Sequence, residues 1–177
     1  MLIKVQKNSL ETIFFSSFCT PIGDVYVAKS RQGICRISFP HSTAESFLQQ
    51  FLKVANVTVQ RDDPRLHHET SLLKEYFDGK QVNFDFPMDL RGGTPFQVKV
   101  WEKLREIPYG ECRTYQWVAA QIENPLAVRA VGMANNKNPL PPVVPCHRVI
   151  GSDGSLTGYA SGIHIKKWLI EMERNAK

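Results

Sequence analysis

The 177-residue chain is long enough for one good-sized domain or two small ones sharing an interface. Its 42% hydrophobic and 22% charged residues are ordinary for a soluble globular protein and exclude a disordered or fibrous class. No apolar run approaches a membrane span, and Glu11 with its polar neighbours interrupts any signal-peptide core, so the expected location is inside the cell. The net charge of +5 suits contact with phosphates but equally fits a basic enzyme. Cys19, Cys35, Cys112 and Cys146 lie far apart without a CxxC pair, which argues against a cysteine-pair zinc site. They read as free thiols, the first three in packing roles.

Residues 1–91 are expected to form a small α+β domain. Thr12–Phe18, Gly23–Ser30 and Gly33–Phe39 are short, rich in β-branched and aromatic residues, and separated by turn signals, which predicts an antiparallel meander. Ser42 and Glu45 have the spacing of a capping box, followed at helical spacing by Phe47, Leu48, Phe51 and Leu52. A second helix should carry Leu72, Leu73, Tyr76 and Phe77 on one face and stop near Gly79. Arg91-Gly92-Gly93 is the most linker-like stretch, so the boundary falls there.

Residues 92–177 are expected to form a mainly helical domain. Thr94-Pro95-Phe96-Gln97 supplies an N-cap, a proline at the first helical position and a glutamine three residues on, with Phe96, Val100 and Leu104 as the apolar stripe. Thr114 can cap a helix through about Ile122, and Asn124-Pro125 can begin another through about Ala134. Two helices so joined fit a helix-turn-helix, although helical hairpins are more often structural. Arg129 is the only long polar side chain early in the second helix, among Ala127, Val128, Ala130, Val131 and Gly132. Small side chains on an outer face permit close approach to a groove.

From Asn138 to Cys146 four prolines lead to a single cysteine, followed by His147-Arg148-Val149-Ile150. Proline rigidity followed by a strand-like run would hold a thiol in one place. A cysteine between apolar residues is usually inert filler, and His147 could be a satisfied core histidine. Neighbours on an extended strand face opposite ways, so His147 reaches the sulfur only through water or a bent backbone. The residues alone leave both readings open.

Pro145-Cys146-His147-Arg148-Val149 resembles the active-site signature of the O6-alkylguanine-DNA alkyltransferases, or methylated-DNA–protein-cysteine methyltransferases. The resemblance continues in order through Gly93-Thr94-Pro95-Phe96-Gln97, Val100-Trp101, Pro108-Tyr109-Gly110, Thr114-Tyr115, Arg129-Ala130-Val131-Gly132, Asn138-Pro139, Gly158-Tyr159 and Lys167-Trp168-Leu169. It covers roughly residues 92–174, and more loosely the amino-terminal half.

This resemblance implies stoichiometric, single-turnover repair: an alkyl group passes from guanine O6, and possibly thymine O4, to Cys146. By the same resemblance His147 acts on the thiol through a water, Glu173 orients His147, Tyr115 gives the base a proton and Asn138 braces the turn before the active-site strand. Double-stranded DNA would be bound by a monomer through the minor groove, with Ala127 and Ala130 at the close approach. Arg129 and Tyr115 would serve the flipped nucleotide. Cys146 and Val149 would read the base edge by their carbonyls, and Tyr159, Ala160, Pro141 and Lys166 would surround base and alkyl group. Lys166 can equally be read as packing or as a phosphate contact. No cofactor and no metal are implied. The resemblance leaves the compartment as cytoplasm in a bacterium and nucleus in a eukaryote. Met133–Lys137 is bulkier than the family pattern there. The alternative is a lesion-binding module without chemistry, which on this scaffold lacks the cysteine.

Overall fold

The computed structural model describes residues 11–39, 43–52 and 56–176. Strands β1 (Glu11–Thr20), β2 (Gly23–Ser30) and β3 (Gly33–Ser38) form the expected antiparallel meander. Pro21-Ile22 and Arg31-Gln32 make the turns, each followed by a glycine at positive φ. Helix α1 (Ala44–Leu52) leads to a fourth strand, β4 (Val57–Arg61), which pairs parallel to β1 and completes the order β3-β2-β1-β4. The sequence reading missed β4. It is five residues long at an edge, and only the Val57/Val59 alternation marks it.

Ser42 lies outside the described residues. At the start of α1, Thr43 and Ser46 exchange side-chain bonds with each other's backbone amides at 3.1 and 2.9 Å. These two therefore perform the capping-box role assigned to Ser42 and Glu45.

Both faces of the sheet are covered, which is why Val25, Tyr26, Val27 and Ala28 are buried without alternation. Ile13, Tyr26 and Ala28 meet Phe47 of α1 on one face. On the other, Val25, Val27 and Ile37 pack with Leu73, Tyr76 and Phe77 of α2 (His67–Phe77). That second cluster continues into the carboxy-terminal half, through Val100, Leu104, Val118, Val131, Val144 and Leu169. The two halves therefore share one core.

The stretch predicted as linker is pinned. Arg91 pairs with Asp89 at 2.6 Å and with Glu11 at 3.4 Å, and its hydrogen bonds hold the Asp89 carboxyl down to about 2. A Cβ at Gly93 would fall inside the Trp101 ring, so this glycine serves close packing. Helix α3 (Pro95–Leu104) follows with the full capping box of Thr94 and Gln97. Strand β5 (Arg113–Thr114) runs into α4 (Tyr115–Gln121), capped by the Thr114 side chain.

Helix α5 spans Val128–Asn136 and begins later than predicted. Asn124 and Pro125 sit in the connecting turn, where the Asn124 carbonyl accepts from Ala127 and Glu123 takes positive φ. The later start puts Arg129 in the first turn of the helix. The indole Nε1 of Trp101 donates to the Ala134 carbonyl at 2.9 Å and ties α5 to α3. A 3-10 turn (Cys146–Arg148), strand β6 (Val149–Ile150) and helix α6 (Ile163–Asn175) complete the described chain. Among the described residues no helix is long and apolar enough to cross a membrane.

Candidate active site

Cys146 opens the 3-10 turn, not a strand, so the backbone bends where the sequence suggested extension. Proline fixes φ and withholds a donor, and the run before Cys146 closes on itself through Val144 N–H to the Leu140 carbonyl. Asn138 braces this loop. Its Nδ2 donates to the Val144 carbonyl at 2.7 Å and to Cys146 Sγ at 3.0 Å, while its Oδ1 accepts from Leu140 N–H at 2.9 Å. Strand β6 then pairs parallel with β5, matching Arg113 to Val149 and Thr114 to Ile150. That short ladder sets the start of α4, and hence Tyr115, against the cysteine turn.

Burial pushes the Cys146 thiol up to about 11, with the Asn138 hydrogen bond and the Lys166 charge opposing. The resting side chain is a protected thiol, and reaction at sulfur needs a base.

An imidazole follows in the chain. His147 is wholly buried, and its Nε2 lies 2.8 Å from Glu173 Oε1 on α6. Burial lowers its pKa, although Glu173 pulls the other way, so the imidazole is neutral. Burial alone would raise the Glu173 carboxyl, but the bonds and charges of His147 and Arg148 hold it well below the usual carboxylate range. An ionised Glu173 accepts from Nε2–H, which leaves Nδ1 with the lone pair. Nδ1 is buried and has no hydrogen-bond partner among the described residues.

Two residues of this network escaped the sequence reading. Arg148 forks onto Glu173 through Nε at 2.8 Å and Nη2 at 2.9 Å, and its Nη1 donates to the Ile107 carbonyl at 2.6 Å. Tyr76, read only as core, donates its hydroxyl to Glu173 Oε1 at 2.6 Å and lies 3.3 Å from His147 Nε2. The Gly110 amide donates to Oε2 at 3.0 Å. The sole available signal for Arg148 was a cation inside an apolar run, and for Tyr76 a hydroxyl on an otherwise apolar helix face.

On the other side of the thiol, the Tyr115 hydroxyl donates to the Thr157 carbonyl at 3.0 Å. Burial raises its pKa, so the phenol keeps its proton. Lys166 is wholly buried, with Nζ 2.9 Å from the Thr157 carbonyl and 3.4 Å from the Tyr115 oxygen, a position that no phosphate contact requires. Burial pushes Tyr159 well above its ordinary range, with Cys146 and Glu173 adding to the shift, and its hydroxyl has no partner among the described residues. The Asn135 amide is buried on α5 and acts on the Tyr115 phenol. Val149 is buried in β6, Pro141 is half-buried in the loop before the cysteine, and Ala160 is exposed beyond Tyr159.

Arg129 and Ala130 stand apart from this cluster, exposed on α5, while Ala127 is half-buried just before the helix. Met133 is 64% exposed on the same helix and Leu126, in the turn, 95%. Cys19, read as packing, is exposed and bonds to Asp24 at 3.0 Å.

The arrangement defines a thiol group-transfer protein: one buried cysteine, a carboxylate-anchored neutral imidazole beside it, and a helix-turn-helix carrying an exposed arginine. The family model described as 6-O-methylguanine DNA methyltransferase, DNA binding domain, matches residues 95–175, and that of the ribonuclease-like domain matches residues 13–90. The chain belongs to the O6-methylguanine-DNA methyltransferase family. It is 40% identical to a methylated-DNA–protein-cysteine methyltransferase of Methanosarcina acetivorans over 161 residues, 91% of this chain and 98% of that protein. The constitutive methyltransferase of Bacillus subtilis is 42% identical over 162 residues, 91% of this chain and 95% of its own. The crystal structure of Mycobacterium tuberculosis OGT in complex with DNA superposes with a TM-score of 0.79 at 38% identity, covering 92% of this chain and 94% of that one.

Proposed function

We propose that this protein repairs DNA by taking an alkyl group from guanine O6 onto Cys146, once per molecule. The observation that carries the assignment is the single buried turn that joins Cys146 to His147, whose Nε2 is anchored on Glu173 while Nδ1 keeps its lone pair. His147 takes the thiol proton through Nδ1, directly or by way of one water, and the thiolate sulfur attacks the alkyl carbon in line. The C–O6 bond breaks with its electron pair going to the purine, and the Tyr115 phenol supplies a proton to the base. Sulfur ends as a thioether, which no neighbouring group can cleave, so the reaction stops after one turnover.

The alkyl carbon is out of reach inside a duplex, so the nucleotide must be flipped. Small Ala130 allows α5 close to the minor groove, where sequence readout is degenerate, and Arg129 fills the space left in the stack. The buried Tyr159 hydroxyl, without a partner among the described residues, suits a pocket that receives a polar base. Val149, Ala160, Pro141 and Lys166 complete that pocket, and the protein acts as a monomer. The domain division is placed at residues 91 and 92. The presence of Cys146 counts against the lesion-binding alternative, which on this scaffold lacks the cysteine.

Intact-protein mass spectrometry after incubation with a duplex holding one O6-methylguanine tests the assignment. One added methyl on Cys146, absent from Cys146→Ser, is expected. Lesion binding without any mass gain would leave a recognition module.

A further inference from the structure

We propose that Tyr76, from the amino-terminal half, is a positioning residue of the thiol-activating relay: its hydroxyl holds Glu173 and thereby sets the tautomer and basicity of His147. The inference rests on the alkyl-transfer reading of Cys146.

Helix α2 otherwise serves the sheet, and a phenylalanine at position 76 would fill the same space. The Tyr76 ring is wholly buried, in edge or tilted contact with Phe77, Phe84 and Tyr109. A hydroxyl in such surroundings is costly unless it is bonded. Here its donation is spent on Glu173 Oε1 at 2.6 Å, the same oxygen that accepts from His147 Nε2 at 2.8 Å and Arg148 Nη2 at 2.9 Å. Burial keeps the phenol protonated, so it remains a donor.

Three donors on one oxygen spread its charge and temper its pull on the imidazole proton. A more basic Glu173 would favour imidazolium, and an imidazolium has no lone pair to accept the thiol proton. The hydroxyl also stands 3.3 Å from Nε2 with its own proton committed to the carboxylate, so it cannot donate to Nε2. That leaves Nε2 as the protonated nitrogen and Nδ1 as the base.

The charged and titratable groups facing the relay are Arg148 beside His147, Tyr109 under the Arg148 guanidinium, Lys166 on α6, Tyr159 in the loop before α6, and Cys146 itself. All remain in place when only the Tyr76 oxygen is removed.

The test is Tyr76→Phe in the full chain, read by single-turnover methyl transfer across pH, lesion-duplex affinity and thermal unfolding. The expected result is unchanged affinity and a transfer rate lower by roughly tenfold. The acid limb of the pH–rate profile should move to higher pH, because Glu173 then binds the imidazole proton more strongly. An unchanged rate and profile would reduce Tyr76 to packing. So would a slower rate that tracks a loss of folding or affinity with the acid limb unmoved. Nitrogen NMR of the unsubstituted protein offers a check that needs no variant: His147 should carry its proton on Nε2 at neutral pH. Proton occupancy of Nδ1 would overturn the proposal. Absence of methyl transfer to Cys146 in the unsubstituted protein would instead defeat the underlying function, whatever Tyr76 does.

Discussion

Cys35 and Cys146 are both pushed up to about 11 by burial, yet their surroundings differ in kind. Cys35, on the sheet, borders a cavity of about 860 Å³ together with Arg36, Asp89, Arg91 and Trp101. Its Sγ donates to the Ala28 carbonyl at 3.4 Å, and the nearby Asp89 charge disfavours the thiolate further. Arg91, also at this cavity, is committed to Asp89. Cys146 receives Asn138 at its sulfur, feels Lys166, and is followed by an imidazole whose Nδ1 has no partner among the described residues. A thiol raised by burial is the shared feature. What separates the two sites is the direction of polar atoms around the sulfur.

The sharpest way to break this comparison is to exchange each thiol for a hydroxyl. Cys146→Ser should abolish alkyl uptake by intact mass, whereas Cys35→Ser should leave it unchanged. Alkylation that followed Cys35 would reverse the assignment.

Next in size comes the anchor that only the Cys146 side possesses. Glu173→Gln strands the buried Arg148 guanidinium and should cost about 3–5 kcal/mol in chemical denaturation. The same anchor predicts acid sensitivity. His147 and Glu173 both have lowered pKa values in the fold, so on acidification the unfolded chain binds protons first and stability falls with pH. The His147 contribution is complete above its ordinary value of 6.5, the Glu173 contribution above 4.5, and each is lost as pH falls through its lowered folded value. Melting temperatures taken from about pH 8 down to about pH 4 should decline, and a flat or rising series would contradict the assigned charge states.

Smaller effects sharpen the picture away from the sulfur. Arg129→Ala should weaken duplex binding by about 1–2 kcal/mol and reduce the salt slope by roughly one, while uptake from free O6-alkylated guanine base stays the same. Equal losses on base and duplex would place Arg129 in the chemistry. Thr94→Ala removes the capping box of α3 and should cost about 1 kcal/mol of stability without altering the transfer rate of the folded fraction.

Much of this molecule was legible in one dimension because the deciding interactions are local. The meander, the end of α2 at Phe77 close to Gly79 and the Thr94 and Thr114 caps depend on residues within a few positions of one another. Local signals misled where the chain was free to use a neighbour. The start of α5 slipped past Asn124-Pro125, and the Trp101 ring packed against Gly93 is invisible in sequence order.

The sequence by itself determined the order of elements and the presence of one cysteine in a rigid, proline-led segment followed by a histidine. Those properties follow from backbone preference and residue chemistry, and resemblance added the pairing with Glu173. Tertiary structure alone decided that the cysteine lies on a tight turn, that Arg148 and Tyr76 also converge on Glu173, and that His147 Nδ1 is buried without a partner among the described residues. Those outcomes depend on burial and on contacts between groups up to 97 residues apart. In a low-dielectric interior it is the three-dimensional set of donors around a carboxylate that selects its charge and its partner's tautomer.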